Sequence, residues 1–200
     1  MDEKLERLIN KIKELERELY NELAQKQEAF LYRFDRSKVR FEREVKIRHR
    51  RLVKRLYHYL ADAPLLNILT VPVIWGCLPP ALLMDLTVTL YQAICFPIYG
   101  VPKVKRCQYI IIDRQALGYL NIIEKVNCFY CSYFNGLIGY IQEVAARTEQ
   151  YWCPIKHARR LGSIHSRYKY FLDYGDGEGY RQRLGEVRQA FGDIEAGQND

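Results

Sequence analysis

From residue 63 to residue 102 the chain runs for forty positions with one charged side chain, Asp85. That is about twice the ~20 residues needed to cross the hydrocarbon of a bilayer, and it exceeds an ordinary core helix. A chain of 200 residues offers little soluble shell around such a stretch, so the rival reading, a buried hairpin in a soluble core, asks for a larger protein. The stretch therefore reads as membrane-embedded. Pro79-Pro80 divides it into two arms, residues 64–78 and 81–99, because proline lacks a backbone donor and pushes the preceding residue out of the α region. Each arm is short for a full span, which leaves a hairpin crossing a thin bilayer or a re-entrant one that dips in and returns. Within the second arm Asp85, Thr89 and Gln92 fall on one helical stripe. For Asp85 this suggests a reach to the headgroups, an intramembrane proton site, or glue between protomers.

The formal charge of +7 is concentrated in one place. Residues 36–56 carry ten Lys/Arg against Glu42 and Glu44, while residues 1–35 hold nine acids and seven bases and residues 57–200 are nearly balanced. Arg48, Arg50, Arg51, Lys54 and Arg55 precede the apolar stretch, and Lys103, Lys105 and Arg106 follow it. Cytoplasmic flanks are enriched in Lys and Arg, so both flanks and both termini are expected on the cytoplasmic side of a plasma membrane, with an even number of crossings. The eight side chains are the expected membrane-surface contacts, worth roughly 1 kcal/mol each near anionic lipid. The opening Met-Asp-Glu-Lys is not the start of a cleavable secretory signal.

Leu5, Leu8, Ile12, Leu15 and Leu19 recur at three- and four-residue spacing, the seam of an amphipathic or coiled-coil helix. No Pro or Gly precedes Pro64, so the pattern predicts one helix to about residue 60, on the order of 85 Å long. Such a helix must project, fold back near Asp35-Arg36-Ser37, or pair with another chain. Residues 5–34 are the expected contact with a protein partner or a second copy.

Six cysteines are too few for a disulfide scaffold. Cys128-x2-Cys131 and, further on, Cys153-x3-His157 have the ligand types and pair spacing of a structural zinc site. Buried free thiols, a redox-active pair or disulfide, and an iron–sulfur variant stand beside zinc. Glu143 and Arg147 are spaced as a helical ion pair, and Cys153, His157 and Glu149 as a nucleophile, base and orienter for an interfacial enzyme. Beyond Arg106 the spacing predicts a short strand or connector at residues 107–113. Two helices then follow, or one broken at Asn135-Gly136. The organisation expected is 1–62 amphipathic helix with a basic end, 63–102 apolar hairpin, 103–180 Cys/His domain and 181–200 mobile tail.

The strings Cys128-Phe129-Tyr130-Cys131 with Tyr133 and Asn135-Gly136, and residues 147–158 (RTEQYWCPIKHA), resemble those of an uncharacterised family of bacterial membrane-associated proteins. The resemblance spans roughly residues 70–180 and implies a bacterial origin, with no activity attached; with the basic flanks of the apolar stretch this makes the inner membrane the expected location. Taken together, the sequence predicts a mainly α membrane protein, a scaffold or adaptor in preference to an enzyme. A nucleic-acid binder using residues 36–56 is the remaining alternative, and no small-molecule substrate is indicated.

Overall fold

The computed structural model describes residues 3–29, 32–35 and 38–196. These are mostly helical and fall into two units, Met1–Asp62 with Asp113–Cys128, and Ala63–Ile112 with Phe129–Asp200.

In the first unit, helix α1 spans Glu3–Ala29 and is on the order of 40 Å long. Its described apolar stripe is uncovered, with Ile12, Leu15 and Leu19 all more than half exposed. The expected continuation to residue 60 does not occur. Strands β1 (Tyr32–Asp35) and β2 (Lys38–Phe41) pair antiparallel, with Tyr32 opposite Phe41 and Asp35 opposite Lys38. Tyr32 and Phe34, then Val39 and Phe41, alternate as β-favouring residues do, and that period of two outweighs a weak helical repeat. The chain thus folds back beside Asp35; Arg36 and Ser37 lie outside the described residues. Helices α2 (Arg43–Arg51) and α3 (Leu56–Ala61) follow. The ring of His49 sits edge-on to Phe41 and Tyr119 at 5.0 Å each.

In the second unit, α4 (Leu65–Gly76) and α5 (Leu78–Tyr99) meet at Cys77, which keeps a right-handed helical backbone (φ −74°, ψ −17°). The expected hairpin about Pro79-Pro80 is instead one apolar run, Leu65–Tyr99, of 35 residues. Both prolines occupy the first turn of α5, where a helix has no partner for its N–H groups and proline is tolerated. They start a helix and do not reverse the chain. Reversal comes at Gly100, whose φ of 68° is the left-handed conformation that favours glycine, with the Val101 N–H donating to the Phe96 carbonyl at 2.9 Å.

Residues 101–112 then double back along α5 as a strap with a single 3-10 turn at Arg106–Gln108; of the strand or buried connector expected for residues 107–113 it is a connector, and a largely exposed one. Helix α6 (Ile122–Trp152) begins with a reciprocal cap in which the Glu124 N–H donates to Asn121 Oδ1 (3.0 Å) and the Asn121 N–H to Glu124 Oε2 (2.8 Å). It continues without a break through Asn135-Gly136. From Phe129 onward it runs parallel to α4 and α5: Tyr130 lies against Trp75, Tyr133 meets Asp85, and Tyr151 stacks on Tyr99 at 4.8 Å. Phe96, Val104, Leu137, Tyr140 and Val144 form the core where helices and strap meet.

Residues 181–200, expected as a mobile tail, largely belong to packed helices. Helix α7 (Gly177–Gln189) is capped by Asp176, which accepts from the Gly179 N–H at 2.8 Å, and α8 covers Gly192–Ala196. Two apolar residues in a polar stretch, Val187 and Phe191, are buried and anchor it. Arg167, 2% exposed, ties this end together. It donates to Gln150 Oε1 (2.5 Å), to the Ala190 carbonyl (2.6 Å) and to both oxygens of Asp193 (3.0 and 2.8 Å).

Burial pushes the Asp193 carboxyl up, but hydrogen bonds from Arg167 and Tyr170 and the charges of Arg167 and Lys169 outweigh it and hold the group below the usual carboxylate range. A depressed carboxyl stabilises the fold in full above the unfolded value of about 3.9, and the contribution fades as pH falls through the lower folded value. Wild type should therefore out-melt Asp193→Asn above about pH 5, with the gap closing toward pH 2. Thermal unfolding across that range checks this; a gap independent of pH would refute it.

Candidate membrane interface

The run Leu65–Tyr99 is, among the described residues, the one helix long and apolar enough to cross a membrane, and only 6% of its most apolar window is buried. Helix α4 buries no residue. Leu65, Leu66 and Val73 are 71%, 74% and 72% exposed, so it is mostly apolar and uncovered except where Tyr130 meets its end at Trp75. Helix α5 is one-sided. Ala81, Gln92 and Phe96 face inward and are buried, while Leu83, Leu86, Leu90, Ile94 and Ile98 form an outward stripe at helical spacing. Hydroxyls on the exposed run are satisfied locally: Thr70 donates to the Asn67 carbonyl (2.8 Å) and Thr87 to that of Met84 (3.0 Å).

Behind this face runs a polar spine that the Asp85/Thr89/Gln92 stripe foreshadowed. Asp85 accepts from Arg106 (Nε to Oδ1 3.2 Å, an Nη to Oδ2 2.5 Å), from the Tyr133 hydroxyl (2.8 Å) and from Thr89 (3.3 Å). Gln92 donates to the Tyr140 hydroxyl (2.6 Å) and the Val104 carbonyl (3.3 Å), and its Oε1 accepts from the Val104 N–H (3.0 Å). Further along, Arg147 pairs with Glu143 at 2.9 Å and donates to the Pro102 carbonyl at 2.8 Å, while Ser166 donates to the second Glu143 oxygen at 2.6 Å. The Glu143/Arg147 spacing thus yields a buried helical ion pair.

Gly136 explains itself here. A Cβ on it would lie 2.6 Å from the Tyr109 carbonyl oxygen and 2.8 Å from Ile110 Cα, so the strap crosses α6 where only glycine admits a backbone. The Asn135-Gly136 pair marks a close approach and no helix break.

The basic side chains fall into two groups. Arg48, Arg50, Arg51, Lys54 and Arg55 are exposed on and after α2, with Lys54 pairing with Asp62 at 2.6 Å. Lys103 and Lys105 are exposed on the strap, and Arg106 is engaged by Asp85. The Cys/His pairs are not brought together. Cys128 and Cys131 lie on α6; Cys153 follows its last residue, twenty-two positions beyond Cys131, a rise on the order of 33 Å. His157 is exposed in the following loop, its backbone N–H donating to the Tyr168 hydroxyl at 2.9 Å. No group of three His, Cys, Asp or Glu able to hold a metal occurs among the described residues, and these four ligands do not fit one tetrahedral ion in this geometry. Glu149 pairs with His165 at 3.2 Å, so it is not held for the Cys153/His157 set. His165 carries no sequence signal as the partner of Glu149, because it lies sixteen residues away across a loop.

No protein-family model, no curated protein and no solved structure matches the chain.

Two predictions follow from this geometry. Gly136→Ala should destabilise by about 1–3 kcal/mol through overpacking, where an unhindered helical Gly→Ala gains up to about 1 kcal/mol. Gly185→Ala within α7, whose Cβ meets nothing within 4 Å, serves as the control in denaturant or thermal melts. Cys131 and Cys153, both exposed, should alkylate freely in native protein with no stoichiometric zinc by mass spectrometry. One zinc per chain with these thiols protected would show that α6 is broken or that the ligands come from two chains.

Proposed function

We propose that this chain is a membrane-anchored scaffold or adaptor at the inner face of a bacterial plasma membrane, holding α1 out to a protein partner or a second copy. The observation that carries the reading is the exposure of the apolar run Leu65–Tyr99, in which α4 buries no residue and α5 leaves a whole apolar stripe open. Soluble monomers rarely expose apolar patches beyond a few hundred Å², and a fully uncovered Leu or Ile forfeits about 1.5–3 kcal/mol of burial, so a face of this extent needs an apolar solvent. The open stripe on α1 supports the adaptor part in the same way: Ile12, Leu15 and Leu19 repeat on one face with charged residues between them, the pattern of a helix that completes its seam with another helix. The exposed arginines of α2 and Lys54-Arg55 supply attraction to anionic headgroups.

The full-length chain should sediment with membranes, resist high salt and carbonate, and come off in detergent. A triple substitution Ile12→Glu, Leu15→Glu, Leu19→Glu should abolish cross-linked assemblies while leaving membrane attachment intact. Monodisperse, folded protein in the supernatant without surfactant would overturn the anchor; assembly unchanged in the triple variant would overturn the role of α1.

A further inference from the structure

We infer that α5 lies along one leaflet, in the plane of the membrane, with its outward stripe among acyl chains and Lys103 and Lys105 on anionic phospholipid headgroups. This rests on the membrane anchor proposed above and specifies its geometry and its lipid.

Length is the first reason. Thirty-five helical residues rise on the order of 52 Å, against about 30 Å of hydrocarbon. The strap is the second. Val104 is bound to Gln92 and Arg106 to Asp85, so Lys105, between them, and Lys103, just before them, lie alongside α5. Lys103 and Lys105 are both exposed there, and neither forms an ion pair among the described residues. If α5 crossed the bilayer, two lysines without carboxylate partners would be held at hydrocarbon depth, which membranes strongly resist. With α5 in plane, the inward side that carries the strap faces water and headgroups while Leu83, Leu90 and Ile94 on the opposite side face lipid. Third, Pro72 and Pro97, inside α4 and α5, remove the helical donors to the carbonyls of Ile68 and Ala93. Near the interface, water and headgroups can supply those donors; at the centre of the bilayer they cannot. An in-plane helix also reconciles the two basic flanks with a single apolar run, since zero crossings keep both on one side.

Depth along the helix decides the matter. The chain has two tryptophans, so full-length protein carrying Trp75→Phe and Trp152→Phe accepts one reporter at a time at Leu83→Trp, Leu90→Trp or Ile94→Trp, all at exposed positions. Quenching by spin-labelled lipids in vesicles of phosphatidylglycerol and phosphatidylcholine should place the three at one depth, about 5–10 Å below the headgroups. A steady change of about 16 Å from 83 to 94 means a crossing helix and overturns the inference. Vesicle binding with no quenching at any of the three means a protein covers the face, which also overturns it while sparing the anchor. Failure to bind vesicles at all overturns the anchor itself. The pair Lys103→Gln/Lys105→Gln should weaken binding to the anionic vesicles about thirtyfold and leave binding to pure phosphatidylcholine unchanged. An equal loss on both, or none on either, refutes the anionic lipid as the partner.

Discussion

A backbone segment without regular structure can lie against an apolar helix only if its N–H and C=O groups find partners, and in this protein Gln92 and Asp85 make that possible. Gln92 binds the N–H and the carbonyl of Val104 at once, and Asp85 fixes Arg106 through both carboxylate oxygens. The strap between α5 and α6 depends on these contacts, and so does the parallel pairing of the two helices, since parallel neighbours require a returning connection. Tyr133 and Tyr140 close the network from the α6 side, so the inward side chains Asp85 and Gln92 of α5 are matched by groups from the strap and from α6.

The same device separates the two sides of α5. Its polar atoms turn inward and its outward hydroxyl, Thr87, is bound to its own backbone, leaving a surface with nothing to offer water. A side chain such as Leu90 or Ile94 then has to be covered from outside, and lipid is the covering proposed. At the far end of α6 the logic is reversed: Arg167 is buried among carbonyls, Gln150 and Asp193, and these contacts hold a short polar C-terminal segment on the body through charge-assisted bonds more than through apolar area.

Part of this was legible in the residues. The uncharged run announced apolar helical structure, though as two arms of a hairpin; the spacing of Asp85, Thr89 and Gln92 announced a polar stripe, and Glu143 with Arg147 announced an ion pair, because each is a local relation that a helix makes automatically. Other features misled. Pro79-Pro80 suggests reversal or helix initiation equally well, and which occurs depends on what the following residues pack against. Val187 and Phe191 are two apolar positions in a polar stretch, too few to announce a helix until Gln150 and Arg167 supply its docking site. Asn135-Gly136 resembled a turn, although the glycine serves a crossing backbone twenty-six residues earlier in the chain.

Solvent preference and helical faces follow from composition and period, and these the chain determined alone: an apolar stretch, an amphipathic leader, a basic collar and predominantly α structure. Convergence of residues far apart in sequence was decided only in the tertiary structure. It paired Asp85 with Arg106, set Glu149 against His165 and placed Lys103 and Lys105 alongside α5. It also set Cys131, ten residues into α6, about 33 Å along the helix from Cys153, just past its end. The reason is that C-x-x-C and C-x-x-x-H spacings specify local geometry only, whereas thirty-one residues of unbroken α6 impose a distance that no spacing rule encodes.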